Sequence, residues 1–178
     1  GGSASASEVL AGALKDNKRA MIVGEKSFGK GTVQETHPLQ NGGKLKISTH
    51  KWLTPKQEWI HHKGIQADLQ VEPDELYMMD IKYYQGNFHV GDFGEEVKYV
   101  QQVLGAIGYN ISRQDGYFDE DTQDAIEKYR QERSLDEYNE IDDVLFQSLS
   151  KTILDYKTSR ENDKQFQMGV SYLLHDIK

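Results

Sequence analysis

Apolar residues follow two different periods along this chain, and the change of period divides it. In the back half, Val97, Val100, Leu104 and Ile107 recur at the spacing of one helical face, and Gly108-Tyr109 closes that helix. Thr122, Ala125, Ile126 and Tyr129 mark a second such face, and Leu145, Leu149 and Ile153 a third. Three short amphipathic helices can bury one small core, so this part is expected to fold by itself. The front half reads differently. Ser5 to Asn17 fits a helix with Leu10, Ala13 and Leu14 on one face, and Ala20 to Val23 a short buried strand. After a glycine-rich loop, Thr32 to Leu39 and Lys44 to Leu53 alternate around Asn41-Gly42-Gly43, which predicts a hairpin. Beyond Lys151 a polar stretch leads to a last amphipathic helix with Phe166, Val170, Leu173 and Ile177 on one face.

Charge follows the same division. Residues 91–178 hold ten Lys and Arg against nineteen Asp and Glu, although the whole chain of 178 residues has a net charge of only −8. The shift near GNFHVGDFG suggests a boundary between modules. An acidic back half argues against nucleic acid as a partner, because phosphate neutralisation needs clustered basic side chains. No apolar run reaches the length of a membrane span, and no basic leader precedes one. Without cysteine, disulfides, thiol catalysis and Cys-ligated zinc are excluded. His61 and His62 are adjacent, but neighbouring side chains diverge on a strand and no carboxylate stands at a ligand spacing, so they read as surface histidines. No cofactor or metal is expected.

The candidate chemistry lies in Ser5, Lys30 and Gln34. A hydroxyl at a helix start is placed for acyl transfer, because the free N–H groups of the first turn, that of Ala6 in particular, can stabilise an oxyanion. A lysine can act as its base where burial lowers the lysine pKa. Gln34 can accept a hydrogen bond from that amine and aim it. The plain alternative is that Ser5-Ala-Ser-Glu8 is only a capping box. A P-loop reading of Gly24 to Lys30 fails at Gly31, where a magnesium-ligating hydroxyl is required. Chemistry alone does not choose Ser5 over Ser3 and Ser7, or Lys30 over Lys26.

A resemblance makes that choice. GGSASASEVLAGALKDN and VGEKSFGKGTVQ resemble the carboxyl-terminal processing (tail-specific, S41 family) serine proteases, and the match falls on Ser5, Lys30 and Gln34. GGKLKIST and TPKQEWIHHKGIQADLQVE are similar to that family's closing strands, with Gln57 in place of its usual glycine and Ala67 in place of its usual proline. The resemblance implies an α/β fragment of a ClpP/crotonase-like protease core over residues 1–87, using a Ser5/Lys30 dyad with Gln34 as orienter and the Ala6 amide as oxyanion donor. It further implies protein substrates recognised at their C-termini by an upstream PDZ domain. It places the enzyme at the extracytoplasmic face of a bacterial membrane or in the wall, anchored by an N-terminal segment outside this chain. A protease domain also needs the strands leading into its serine, so this chain alone is expected to be inactive.

GDFGEEVKYVQQVLGAIGY and DGYFDEDTQDAIEKYRQ resemble the type 1 peptidoglycan-binding domain, with Asp119 in place of a usual glycine. This implies a small all-α, three-helix module over residues 88–153 with peptidoglycan as a candidate partner. Being acidic, it is expected to contact glycan by hydrogen bonds and by stacking on Tyr109, Tyr117 and Phe118. Residues 154–178 are left as a linker and a C-terminal helix. NDKQFQMGVSYLL is similar to the last helix of the protease family, so the module reads as an insertion, and the alternative is a free helix packing on a second copy, a homodimer. Two rivals stand beside the protease: a wall-binding or assembly module with a remnant protease segment, and acyl-thioester chemistry on the same architecture.

Overall fold

The computed structural model describes residues 2–136 and 138–176. In chain order the elements are α1 (Ala6–Asp16), β1 (Val23–Gly24), β2 (Thr32–Pro38), β3 (Lys44–Lys51) and β4 (Leu69–Gln70). These are followed by α2 (Glu75–Met78), α3 (Glu95–Ala106), α4 (Glu120–Glu132), α5 (Asp143–Thr158) and α6 (Lys164–Asp176). The chain forms two compact units, Gly1–Glu72 with Lys164–Lys178, and Pro73–Asp163. The mixed α/β segment thus precedes a helical one. The expected boundary at 87/88 falls inside the second unit, because Leu76 is already part of the helical core. α6 belongs to the first unit, where Gln165 donates to the Val71 carbonyl at 3.1 Å. Of its expected face, Phe166 and Leu173 are exposed, and Ile177 lies outside the described residues.

In the first unit, β1 pairs in parallel with β4, and β2 with β3 antiparallel. The strand expected over Ala20 to Val23 shrinks to Val23–Gly24, since only two residues of β4 face it. At its approach the Ile22 N–H turns instead to the Asp68 carboxylate at 2.9 Å. The face expected for α1 is also corrected: Leu10 is 63% exposed, whereas Glu8 and Gly12 are buried. Gly12 is buried because the helix sits close on Ile65 and Thr54, whose side chains would lie 3.3 Å from any Cβ there. The apolar core here is small, built from Ile60, Ile65 and Ala67. Neither face of the hairpin is covered in this unit, so Val33, Leu45 and Ile47 stay exposed despite their alternation.

The second unit follows its sequence pattern closely. Val97, Val100, Leu104, Ile126, Tyr129, Leu145, Leu149 and Ile153 are all fully buried, joined by Phe118, Ile141 and Phe146, while Ile107 is half-buried at the margin. α3 ends in a Schellman motif: Gly108 takes φ +96°, its N–H donates to the Gly105 carbonyl, and the Tyr109 N–H donates to the Leu104 carbonyl. Asp119 needs no glycine freedom, because its φ is −103° and its carboxylate caps α4, accepting the Thr122 N–H at 2.9 Å and the Thr122 hydroxyl at 2.6 Å. Arg130 is buried, with its charge met by Asp142 at 2.6 Å and by the Glu140 carbonyl at 3.1 Å.

Candidate active site

Ser5 is the residue before the first turn of α1, and its backbone is unusual. With φ +56° and ψ −114° it occupies a region that L-residues rarely adopt, at a cost of about 1–3 kcal/mol. Local bonds hold it there. The Ser5 N–H donates to Glu8 Oε2 at 2.9 Å, and the Ser5 carbonyl accepts the N–H groups of Glu8 and Val9 at 2.9 and 3.0 Å. The Glu8 side of the capping box is therefore made. The Ala6 N–H donates no hydrogen bond among the described residues, so it points a free donor from the positive end of the helix.

Lys30 reaches the same place from the glycine-rich loop, and the link is Glu8. This carboxylate is fully buried and accepts three further bonds, from the Ser27 hydroxyl (2.6 Å), the Gly29 N–H (2.6 Å) and the Lys30 N–H (2.8 Å). Burial alone would push its pKa up. The hydrogen bonds from Ser27, Lys30, Gly29 and Ser5 outweigh that and hold it below the usual carboxylate value. Ser27 in turn accepts the Ile65 N–H at 2.7 Å, and the loop passes so close to Gly64 (φ +68°) that a Cβ there would sit 2.1 Å from the Ser27 carbonyl oxygen.

On its other side the segment is gripped by both tryptophans of the chain. The Trp52 indole N–H donates to the Lys30 carbonyl at 3.0 Å, and the Trp59 indole N–H to the Gly31 carbonyl at 2.9 Å. The Trp52 backbone N–H adds a bond to the same Gly31 carbonyl at 3.2 Å. Consecutive peptide groups around Lys30 are thus fixed from both directions.

Ser5, Ala6, Lys30 and Gln34 line one open cavity of about 450 Å³, with Val9 and Trp52 among its walls. Lys30 lies just before β2 and Gln34 within it, next to a register irregularity between Val33 and Gln34. Ser5 and Lys30 are half-buried and Gln34 is exposed. No hydrogen bond joins the three side chains to one another among the described residues. In the sequence Glu8 reads only as a helix cap, and no local signal points to Ser27, Trp52, Trp59 or Lys46, the last of which also lines the cavity. Three residues after Ser5, Glu8 was visible as a helix cap. Its long-range partners were not.

Two expectations about other residues are corrected. His61 and His62 do not diverge along a strand, because they lie in a turn that brings their rings to 3.9 Å between centroids, and His61 stacks on Trp59. In the second unit Phe118 is fully buried and offers no stacking face. Tyr117 stays exposed, with the Arg113 guanidinium over its ring at 4.7 Å. The Tyr109 hydroxyl is partly buried and bonded to Glu132, which together push its pKa up to about 12.

Residues 1–71 match the sequence model described as "Peptidase family S41", and residues 93–137 the one described as "Putative peptidoglycan binding domain". The chain therefore carries the C-terminal segment of an S41 serine peptidase with a peptidoglycan-binding-type helical domain, and its homologues are C-terminal processing proteases. Among its relatives are the "Carboxy-terminal processing protease CtpB" of Bacillus subtilis (strain 168), 36% identical over 97% of this chain, and a "Probable CtpA-like serine protease" of Staphylococcus haemolyticus (strain JCSC1435), 40% identical over 75% of it. The chain spans 36% of the length of the first and 27% of the second. A solved structure titled "Photosystem II D1 C-terminal processing protease" matches 41% of this chain and 19% of its own at 45% identity, with a TM-score of 0.38.

Proposed function

We propose that this chain supplies the nucleophile and base of a carboxyl-terminal processing endopeptidase, held at the cell wall by its helical unit. The observation that supports this most is the shared cavity: a serine in a strained helix-start conformation, a free N–H beside it, and a lysine and glutamine lining the same opening. Ser5 Oγ attacks the scissile carbonyl carbon while Lys30, in its amine form, takes the hydroxyl proton. Negative charge then develops on the carbonyl oxygen, within reach of the Ala6 N–H and the helix dipole. Lys30 returns the proton to the leaving amine, the C–N bond breaks, and an acyl-Ser5 ester remains. Water, deprotonated by the same lysine, hydrolyses that ester and regenerates Ser5.

The substrates are proteins or peptides cleaved near their C-termini, and the second unit adds peptidoglycan as a partner. Action on the outer side of the membrane or in the wall accords with such a unit. No helix among the described residues is long and apolar enough to cross a membrane. The test uses the complete peptidase. A fluorophosphonate probe labels Ser5, and Ser5→Ala and Lys30→Ala each abolish labelling and turnover without changing the circular dichroism spectrum. Gln34→Ala lowers turnover less, since an orienter displaces the base without removing it. Near-normal turnover in Lys30→Ala overturns the assignment.

A further inference from the structure

We propose that the cavity between the end of α4 and the outer side of α5 binds a short zwitterionic peptide, the stem peptide of peptidoglycan, rather than its glycan strand. This rests on the reading of the second unit as a peptidoglycan-binding domain and goes beyond it by naming the part of the polymer that is recognised. The cavity measures about 430 Å³, within the usual range for small-ligand sites.

Its charges are of both signs and are arranged to meet such a ligand. Arg133, at the C-terminal end of α4, and Lys151 on α5 bring two cations to one opening, in a unit that holds nine basic side chains against twenty-one acidic ones. Asp155 lies one helical turn beyond Lys151 on the same side of α5. Among the described residues none of these three side chains forms an ion pair with another group, so each is available to a ligand's carboxylate or ammonium group. Arg133 is held over the ring of buried Tyr129 at 5.5 Å, which limits its freedom.

The cavity wall offers fixed polar groups beside apolar surface. The Ser148 and Thr152 hydroxyls both bond the Tyr129 hydroxyl, at 2.8 and 3.0 Å, and keep lone pairs that can accept from peptide N–H groups. Gln147 also lines the cavity, and Leu135 and Val144 add apolar surface suited to alanine methyl groups. No aromatic ring lines this cavity, so the stacking that a sugar ring prefers is missing.

The experiment titrates the isotope-labelled chain, followed by amide NMR, with the tripeptide L-alanyl-γ-D-glutamyl-L-lysine and with its diaminopimelate counterpart, and separately with N-acetylchitotetraose. At least one peptide shifts the amides of Arg133, Leu135, Lys151 and Asp155 saturably, and the sugar does not. Lys151→Glu and Asp155→Lys, both at exposed positions, each weaken peptide binding roughly tenfold. Lys98→Gln, outside the cavity, leaves it unchanged. If neither peptide moves these amides, or the charge reversals change nothing, the inference is wrong. Cosedimentation with insoluble peptidoglycan separates the two levels: binding equal in the wild type and Lys151→Glu overturns the cavity but keeps the domain reading, and no sedimentation of either overturns both.

Discussion

Replacing Glu8 by glutamine tests whether one buried carboxylate holds Ser5 and Lys30, the proposed nucleophile and base, in register. Each oxygen of Glu8 serves two donors. Oε1 takes the Ser27 hydroxyl and the Gly29 N–H, and Oε2 takes the Ser5 and Lys30 N–H groups. Glutamine turns one of these oxygens into an NH₂, so donors face donors. The least costly placement puts the NH₂ beside Ser27, whose hydroxyl can rotate, although that oxygen already accepts the Ile65 N–H. Even then the Gly29 N–H loses its acceptor, and the remaining bonds lose the strength that a full negative charge gave them. A buried unsatisfied donor costs about 1–3 kcal/mol, so Glu8→Gln is expected to destabilise the unit by roughly 2–3 kcal/mol.

For catalysis the effect is larger than that figure suggests. Displacement of a reacting group by about 1 Å costs on the order of 10²-fold in rate, so the complete peptidase carrying Glu8→Gln should lose about that much in kcat with little change in KM. Turnover is measured at a temperature where circular dichroism shows the variant folded. The pH dependence gives a second readout. Those hydrogen bonds hold the folded-state pKa of Glu8 below the ordinary carboxylate value, so its contribution is fully present above that ordinary value and is lost as pH falls through the depressed folded one. Acid-unfolding curves of wild type and Glu8→Gln should therefore converge at low pH and separate above it. A variant with turnover within twofold of wild type and an unchanged acid limb would refute the reasoning.

Two further substitutions probe the same frame. Trp52→Phe keeps an aromatic ring but removes the N–H that reaches the Lys30 carbonyl together with the second ring of the indole, so kcat should fall roughly three- to tenfold at constant KM; unchanged kcat would show that the bond does not position Lys30. Gln57 adopts φ +69° while its N–H closes a turn on the Thr54 carbonyl at 2.8 Å, so Gln57→Gly should relieve strain and raise the urea midpoint by the equivalent of about 0.5–1 kcal/mol. A lowered midpoint would mean that the glutamine side chain contributes more than its backbone costs.

How much of this was legible depended on what selects a buried face. In the second unit helical periodicity identified most of the helical core positions, because the helices bury their apolar stripes together, while Leu76, Phe118 and Ile141, which join the core from outside those stripes, were not legible that way. In the first unit the same reasoning chose Leu10 and Leu14 for α1 and was wrong. There the helix turns inward the residues that the loop needs, Glu8 for its N–H groups and Gly12 for close approach, and leaves its leucines outside. The alternation of β2 and β3 gave the hairpin and its turn, but a period of two cannot say whether any layer covers either face. The departures from the family pattern resolve differently: Asp119 replaces a glycine by becoming a cap, whereas Gln57 keeps the glycine-like backbone and bears its strain.

The candidate site was legible as residue types at fixed spacing, and its assembly was not, for a reason contained in Ser5-Ala-Ser-Glu8. A capping box satisfies one N–H with one carboxylate oxygen, which leaves capacity for several more donors. Whether those donors come from water or from a loop twenty residues away is decided by where Ile65 and Gly64 hold that loop, and no local pattern encodes it. Once Glu8 is shared, the backbone of Ser5 and the backbone of Lys30 are tied through a single group. Movement of either is then felt by the other, so a change in the loop at Ser27 or Gly29 should disturb the strained conformation of Ser5 without touching it. That coupling explains how Ser5 and Lys30, twenty-five positions apart, can hold a fixed relation on so small an apolar core.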